Sequence, residues 1–274
     1  MAKERSIWLG KPPGYIRKLD EGILIKCDAL KLLNSLKDGC ADIIFLDPPF
    51  NLGKKYGSNS RKEDKIAESE YEEFMRSVLF SSMRKLKEGG ALYLYHLPQW
   101  AIKFGALLQQ HLTFRHWISV TMKNGFVRGK YLYPAHYALL YLTNGEPQVF
   151  NRPKIPAPTC RSCGKYIKDY GGYKHYIESG INLSDVWDDL SPVRHAKHKK
   201  RAENELPLEL TRRVIQISGL NNGLLVDPFV GSGTSLISAV EAQMSFVACD
   251  REKIYCDIAS RRVKEYMAER TCDC

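Results

Sequence analysis

The chain is predicted to fold as a doubly wound, mostly parallel α/β sheet carrying one inserted region. Three observations predict this. Short apolar runs alternate with helix-spaced segments through the first 150 residues, the pattern of strand-helix-strand crossovers. One apolar run, Asp42 to Leu46, stops abruptly at Asp47-Pro48-Pro49-Phe50. Another, Leu224 to Val226, runs into the glycine-rich turn Asp227-Pro228-Phe229-Val230-Gly231-Ser232-Gly233-Thr234, then a helical pattern, then a further apolar strand ending in Asp250.

In chain order, Gly22 to Asp28 reads as a short strand ending in an acid and Ala29 to Leu36 as a short amphipathic helix. Ala41 to Leu46 is the strand that delivers the Asp-Pro-Pro-Phe turn. The polar stretch Asn51 to Lys65, rich in Gly, Ser, Asn and Lys, is suited to closing over a bound group. Glu70 to Lys87 has helical spacing, Gly89-Gly90 is expected to end that helix, and Ala91 to Tyr95 is a buried strand. A helix near Trp100 to Leu112 and a strand pair, His116 to Met122 and His136 to Thr143, follow. From Asn151 to Arg201 aliphatic residues thin out and no strong period remains, so this stretch reads as an insertion on the core. A helix over Leu208 to Ser218 leads into the glycine-turn unit, with its helix over Ser235 to Ala242 and its last strand over Ser245 to Asp250. The predicted organisation is one domain over residues 1–274, with halves at 22–150 and 202–265 and the insert at 151–201.

The chemistry of the two turns differs. Consecutive prolines have fixed φ and no N–H, so they can neither extend a sheet ladder nor start an ordinary helix. Asp47, a proline carbonyl and the Phe50 ring are thereby held together at a strand's carboxyl end, able to accept hydrogen bonds from a planar amine while stacking on its ring. Adenine and cytosine are such rings, although a rigid turn that merely closes a strand reads equally well from this tetrapeptide alone. At the second turn, Gly231 and Gly233 allow close backbone approach, the next helix presents free N–H groups, and Asp250 stands where an acid grips a ribose diol.

Together the two segments resemble the S-adenosylmethionine-dependent amino-methyltransferases of DNA: the first matches their Asp-Pro-Pro-aromatic catalytic motif, the second their Asp-Pro-Phe-x-Gly-x-Gly-Thr cofactor motif. With the catalytic motif first, the order resembles the permuted beta class, and the similarity runs from about Gly22 to Arg262. The resemblance implies a seven-stranded, Rossmann-like methyltransferase sheet with a target-recognition insert, and S-adenosyl-L-methionine as cofactor. It assigns catalysis to Asp47, Pro48, Pro49 and Phe50, and cofactor contacts to Asp28, Asp47, Asp227, Pro228, Phe229, Gly231, Ser232, Gly233, Thr234 and Asp250. For Asp28, capping of the following helix is an equal and compatible role. The stretch Glu203 to Pro207 matches the one approaching the cofactor's methionine end, but lacks the commoner His-Pro-Thr-Gln-Lys-Pro-like form, so neither Asn204 nor Glu205 is assigned a contact. In this family an Asp at the first motif position goes more often with adenine N6 and a Ser with cytosine N4, so adenine is expected, with cytosine N4 as the alternative. RNA or protein amines are a lower alternative. A target base in a duplex must be flipped out to reach such a site.

The net charge of +10 and a pI near 9.1 favour a polyanionic partner, here DNA. Phosphate and base contacts are expected from Lys123, Arg128, Lys130 and Tyr133 in a basic loop interleaved with aromatics, and from Arg194, His195, Lys197, His198, Lys199 and Lys200 in the insert. Ser184 to Trp187 resembles the segment that follows the family's recognition region, with Trp187 read as an anchor of the insert. Cys160 and Cys163 with His195 and His198 could make a four-ligand zinc site, but no metal is assigned and the histidines are placed on the DNA face. With eight scattered cysteines, no apolar run of membrane-spanning length and a polar, basic Met1 to Lys18, a reduced, cytoplasmic protein without a membrane partner is expected. A cognate restriction endonuclease is the expected cellular partner, and the chain is expected to be a monomer or homodimer.

Overall fold

The computed structural model describes residues 7–19, 21–52, 66–121, 130, 132, 134–160, 162–166, 177–190 and 205–272. Its centre is a nine-stranded sheet. The strands, in chain order, are β1 (Tyr15–Leu19), β2 (Gly22–Lys26), β3 (Ala41–Leu46), β4 (Leu86–His96), β5 (Thr113–Thr121), β6 (His136–Thr143), β9 (Val186–Trp187), β10 (Leu224–Asp227) and β11 (Ser245–Asp250). They lie side by side as β1-β2-β11-β10-β3-β4-β6-β5-β9. A separate two-stranded pair, β7 (Lys154–Ile155) with β8 (Ile181–Asn182), lies within the insert. The seven strands from β2 to β5 in this spatial order form the predicted sheet, and β1 and β9 extend it at the two edges.

From β2 to β4 every neighbouring pair is parallel, and β6 and β5 follow antiparallel. The helices are α1 (Ala29–Ser35), α2 (Glu68–Lys85), α3 (Pro98–Leu108), α4 (Leu208–Ser218), α5 (Thr234–Glu241) and α6 (Lys253–Cys272). Alternate residues of each strand face opposite layers. Ile23, Ile25, Ile44 and Leu46 pack with α1, α2 and α3, whereas Leu24, Ile43, Phe45 and Leu225 pack with α4, α5 and α6. Strands buried on both faces read as continuous apolar runs, which is why β3 is buried along its whole length.

The winding reverses between β3 and β10. The crossovers β2-α1-β3 and β3-α2-β4 advance toward one edge of the sheet, and β10-α5-β11 advances toward the other. A crevice at the carboxyl ends of the strands is expected at such a switch point. At the opposite end, buried Asp42 ties three strands together: its carboxylate accepts from Lys87 Nζ at 2.8 and 2.7 Å and from the Leu224 backbone N–H at 2.7 Å.

Gly89-Gly90 does not end the preceding helix as predicted. The helix stops at Lys85 and both glycines lie inside β4, where the register with β3 shifts between Ala41 and Ile43. Gly89 has φ +73 and a Cβ there would sit 2.7 Å from the Gln148 backbone nitrogen, so only glycine lets the Glu146–Gln148 loop close on the strand. The insert is fastened to the core by β9, which runs parallel to β5. Trp187 is fully buried, donates from its indole to the Ser184 carbonyl at 2.8 Å and lies under the Arg213 guanidinium, as the anchor reading expects.

Candidate active site

Four neighbouring strands, β11, β10, β3 and β4, end in or immediately precede Asp250, Asp227, Asp47 and His96. Residues far apart in sequence thus stand in one row at the switch point. A hollow there is lined by Phe45, Asp47, Leu206, Asp227, Phe229, Val230, Ser232, Thr234 and Ser235.

On the glycine-turn side, Asp227 is buried. It accepts from the Phe229 backbone N–H at 2.9 Å and from the Ser235 hydroxyl. Burial pushes its pKa up to about 7, against the two hydrogen bonds and with the help of the negative charges of Asp47 and Asp250. Gly231 and Gly233 have φ +51 and +81, so the turn needs both glycines. Asp250 accepts from the Gly231 N–H at 3.2 Å and from the Glu252 N–H at 2.8 Å, which orients its carboxylate. The rim is braced from α6, where Arg262 donates to the Ser232 carbonyl at 2.8 Å and pairs with Glu205 at 3.0 Å. Leu206, next to that glutamate, lines the hollow. Pro228 accepts from the Cys249 thiol at 3.3 Å, a contact of its carbonyl to the strand beneath. Asp28 caps α1, its carboxylate accepting from the Leu30 N–H at 2.9 Å.

On the Asp-Pro-Pro-Phe side, Asp47 is half-buried and Pro48 buried. Phe50 is 6% exposed, its ring stacked on His96 (centroids 4.9 Å apart) and tilted against Tyr137 and Tyr95 at 5.6 and 6.0 Å. The Tyr71 hydroxyl donates to the Pro49 carbonyl at 2.5 Å and lies 2.7 Å from His96 Nε2. Burial holds His96 down at about 3, so it is neutral at physiological pH.

Tyr71, Tyr95, His96, Tyr137, Ser235 and Arg262 were not singled out from sequence, whereas Leu206 lies in the Glu203 to Pro207 stretch matched to the cofactor's methionine end. For His96 a signal existed, since it ends an apolar strand just as Asp47 follows one; Tyr71 sits on a helix with nothing local to mark it. Of the residues expected to meet DNA, Lys130 is exposed. Lys123, Arg128, Tyr133, Arg194, His195, Lys197, His198, Lys199 and Lys200 lie outside the described residues, as does Asn204. Cys160 and Cys163 flank a tight hairpin closed by Cys160 N–H to Lys165 carbonyl at 2.7 Å and Gly164 N–H to Cys160 carbonyl at 2.8 Å. Among the described residues no group of three or more His, Cys, Asp or Glu is placed to hold a metal, and no helix is long and apolar enough to cross a membrane.

The N6/N4 DNA methylase family model matches residues 41–261, which spans both turns and the insert between them. The chain belongs to the DNA methylase family. This methylase is 41% identical over 247 residues to the type II methyltransferase M.BamHI of Bacillus amyloliquefaciens, covering 89% of this chain and 57% of that one. It is 30% identical over 244 residues to the type II methyltransferase M.HpaI of Haemophilus parainfluenzae, covering 88% and 73%. The methylase therefore spans little more than half the length of the first of these relatives. Its fold is that of solved methyltransferases: M1.HpyAVI in its SAM complex (TM-score 0.60, 16% identity, 88% of this chain and 98% of that one) and the cytosine-N4-specific PvuII DNA methyltransferase (0.59, 15%, 94% of each). Membership implies S-adenosyl-L-methionine as the cofactor. The donor set fits that molecule, since a sulfonium cation is favoured beside three clustered carboxylates and a ribose diol is matched by an oriented one.

Proposed function

We propose that the methylase transfers a methyl group from S-adenosylmethionine to the exocyclic amine of a base flipped out of DNA, with adenine N6 as the first reading. The observation that supports this is that Asp47, immediately after β3, and Asp227, at the end of the neighbouring β10, line one hollow beside the glycine turn. S-adenosylmethionine supplies an activated methyl group on a sulfonium sulfur. The protein's share is placement. Asp47 and the Pro48 carbonyl accept the two amine hydrogens and weaken the conjugation of the nitrogen lone pair with the ring, while Phe50 stacks on the base. Asp250 holds the ribose diol, and Gly231 to Thr234 let the backbone approach the cofactor. The region 151–201, with Arg194 to Lys200, and the loop Lys123 to Tyr133 supply the DNA contacts and sequence readout in this reading, as their basic and aromatic residues suggest. A restriction endonuclease of the same specificity is the matching cellular partner, as the type II relatives suggest.

Cytosine N4 is the second reading, favoured by one observation. Little of the Phe50 ring is exposed, with His96, Tyr95 and Tyr137 around it, and a small platform suits a one-ring base better than a two-ring base. Adenine rests on the Asp at position 47.

Methylation of plasmid DNA with labelled cofactor, followed by digestion to nucleosides and chromatography, distinguishes N6-methyladenine from N4-methylcytosine and scores RNA and protein acceptors in parallel. Asp47→Ala is expected to slow methyl transfer by about 10²–10³-fold, the cost of removing one preorganised group at a reacting centre, and, since Asp47 is also a candidate cofactor contact, the rate is measured at saturating cofactor. Full transfer by Asp47→Ala would sink the reading.

A further inference from the structure

We propose that Tyr71 and His96 are positioning residues that hold the Asp-Pro-Pro-Phe turn in its reactive shape, an inference that rests on the amine-methylation reading above. Their hydrogen bonds admit one proton assignment. The Leu97 backbone N–H donates to His96 Nδ1 at 2.8 Å, so Nδ1 carries the lone pair and the ring proton sits on Nε2. Tyr71 donates its single hydroxyl proton to the Pro49 carbonyl and therefore accepts from His96 Nε2–H. A relay runs from the N-cap of α3, Leu97, through the imidazole and the phenol to the turn.

The same imidazole supports the turn a second time. Its face stacks on Phe50 at 4.9 Å with 28° between the planes. One side chain thus underlies both the carbonyl that follows Pro48 and the ring that follows Pro49. Each proline φ is fixed by its ring, so holding the Pro49 carbonyl and the Phe50 ring leaves the Pro48 carbonyl little freedom to turn. Tyr71 is itself wedged edge-on against Trp100 at 4.8 Å, and His96 is fully buried, so neither needs to touch substrate to act. Placement of an acceptor to within a fraction of an ångström is where a methyl transfer to a weak nucleophile is won or lost.

Tyr71→Phe removes only the hydroxyl and keeps the packed ring. It is expected to fold and to bind S-adenosylmethionine within about twofold of wild type, while the single-turnover methyl-transfer rate falls roughly 10- to 100-fold, the size of a sub-ångström misplacement. His96→Gln, which returns an N–H near the Nε2 position, is expected to be faster than His96→Ala. A merely structural role would lower the melting temperature without separating rate from cofactor affinity. Wild-type rate in Tyr71→Phe beside an inactive Asp47→Ala overturns the positioning role and leaves the methylation reading standing. No methylation of DNA by the wild type overturns that reading. Nitrogen NMR of the wild type gives an arm independent of activity: Nε2 protonated with Nδ1 bare is expected, and a proton on Nδ1 overturns the relay.

Discussion

Asp227 is a carboxyl group taken almost wholly out of water. Its unfolded carboxyl ionises near pH 4, whereas in the fold burial and the charges of Asp47 and Asp250 raise it to about 7. Between those values the folded chain holds a proton that the unfolded chain has released, so stability declines as pH rises across the window and stays reduced above it. Asp227→Asn is expected to melt several degrees above wild type at pH 8 and to lose that advantage near pH 4, read by differential scanning fluorimetry. A cation bound beside the carboxylate pulls the pKa back down. Affinity for S-adenosylmethionine should therefore rise from pH 6 to pH 8, with release of a proton on binding, and calorimetry in two buffers of different ionisation heat checks this. At this scale the carboxylates were legible, because Asp47, Asp227 and Asp250 each stand at the end of an apolar run. What the run could not carry was their mutual distance, which sets the shift. Tyr71 was opaque for a related reason, since its meaning lies in what the Pro49 turn, His96 and Trp100 bring to it, whereas His96 carried the strand-end signal but not its partners.

Among the elements, α5 shows how closely packing and ligand geometry are joined. Its first residue follows Gly233, whose φ is +81 and whose absent Cβ would meet the Ala259 Cβ at 2.8 Å and its Cα at 3.0 Å on α6. Gly233→Ala combines left-handed strain with overpacking and is expected to cost about 2–4 kcal/mol, measured by urea unfolding. Because α6 also carries Arg262, which holds the Ser232 carbonyl, cofactor affinity should fall with it. A stable variant with unchanged affinity would show that the turn does not need this approach. Elements with one dominant period, β2, β3, α4 and β11, were legible to within about two residues. Others were hidden by competing signals. β1 alternates poorly because Arg17 and Lys18 interrupt it, as charges often do on an edge strand. On α6 the buried positions Tyr255, Cys256, Ala259, Ser260 and Val263 have helical spacing, but most are small or weakly apolar and give a faint stripe. Gly89-Gly90 looked like a helix stop because two glycines usually are; here the loop closing on β4 needs Gly89, and the carbonyls of Ala41 and Lys87 crowd Gly90.

For the whole molecule, an excess of ten positive charges makes attraction to DNA a long-range, ion-dependent force. If six to ten phosphates are contacted, affinity for non-cognate DNA should drop about 10³-fold or more between 50 and 200 mM salt, which fluorescence anisotropy would register; a shallow salt dependence would place the excess charge elsewhere. The architecture was legible from the order of two turns, and Trp187 was read as the anchor of the insert, whereas the insert's own strand pairing was not legible, since its few aliphatic residues leave no period. The seam at the switch point has one more consequence, for how the chain is made. β3 joins β10 through only two register pairs, Ile43 with Leu225 and Ile44 with Val226, and β2 joins β11. Both partners emerge late in synthesis, so a nascent chain that already contains β2 to β6 still has a gap of two strands at its centre. Folding must wait for the last quarter of the chain to slide into a slot between strands made long before, and until then the catalytic turn has no cofactor site beside it.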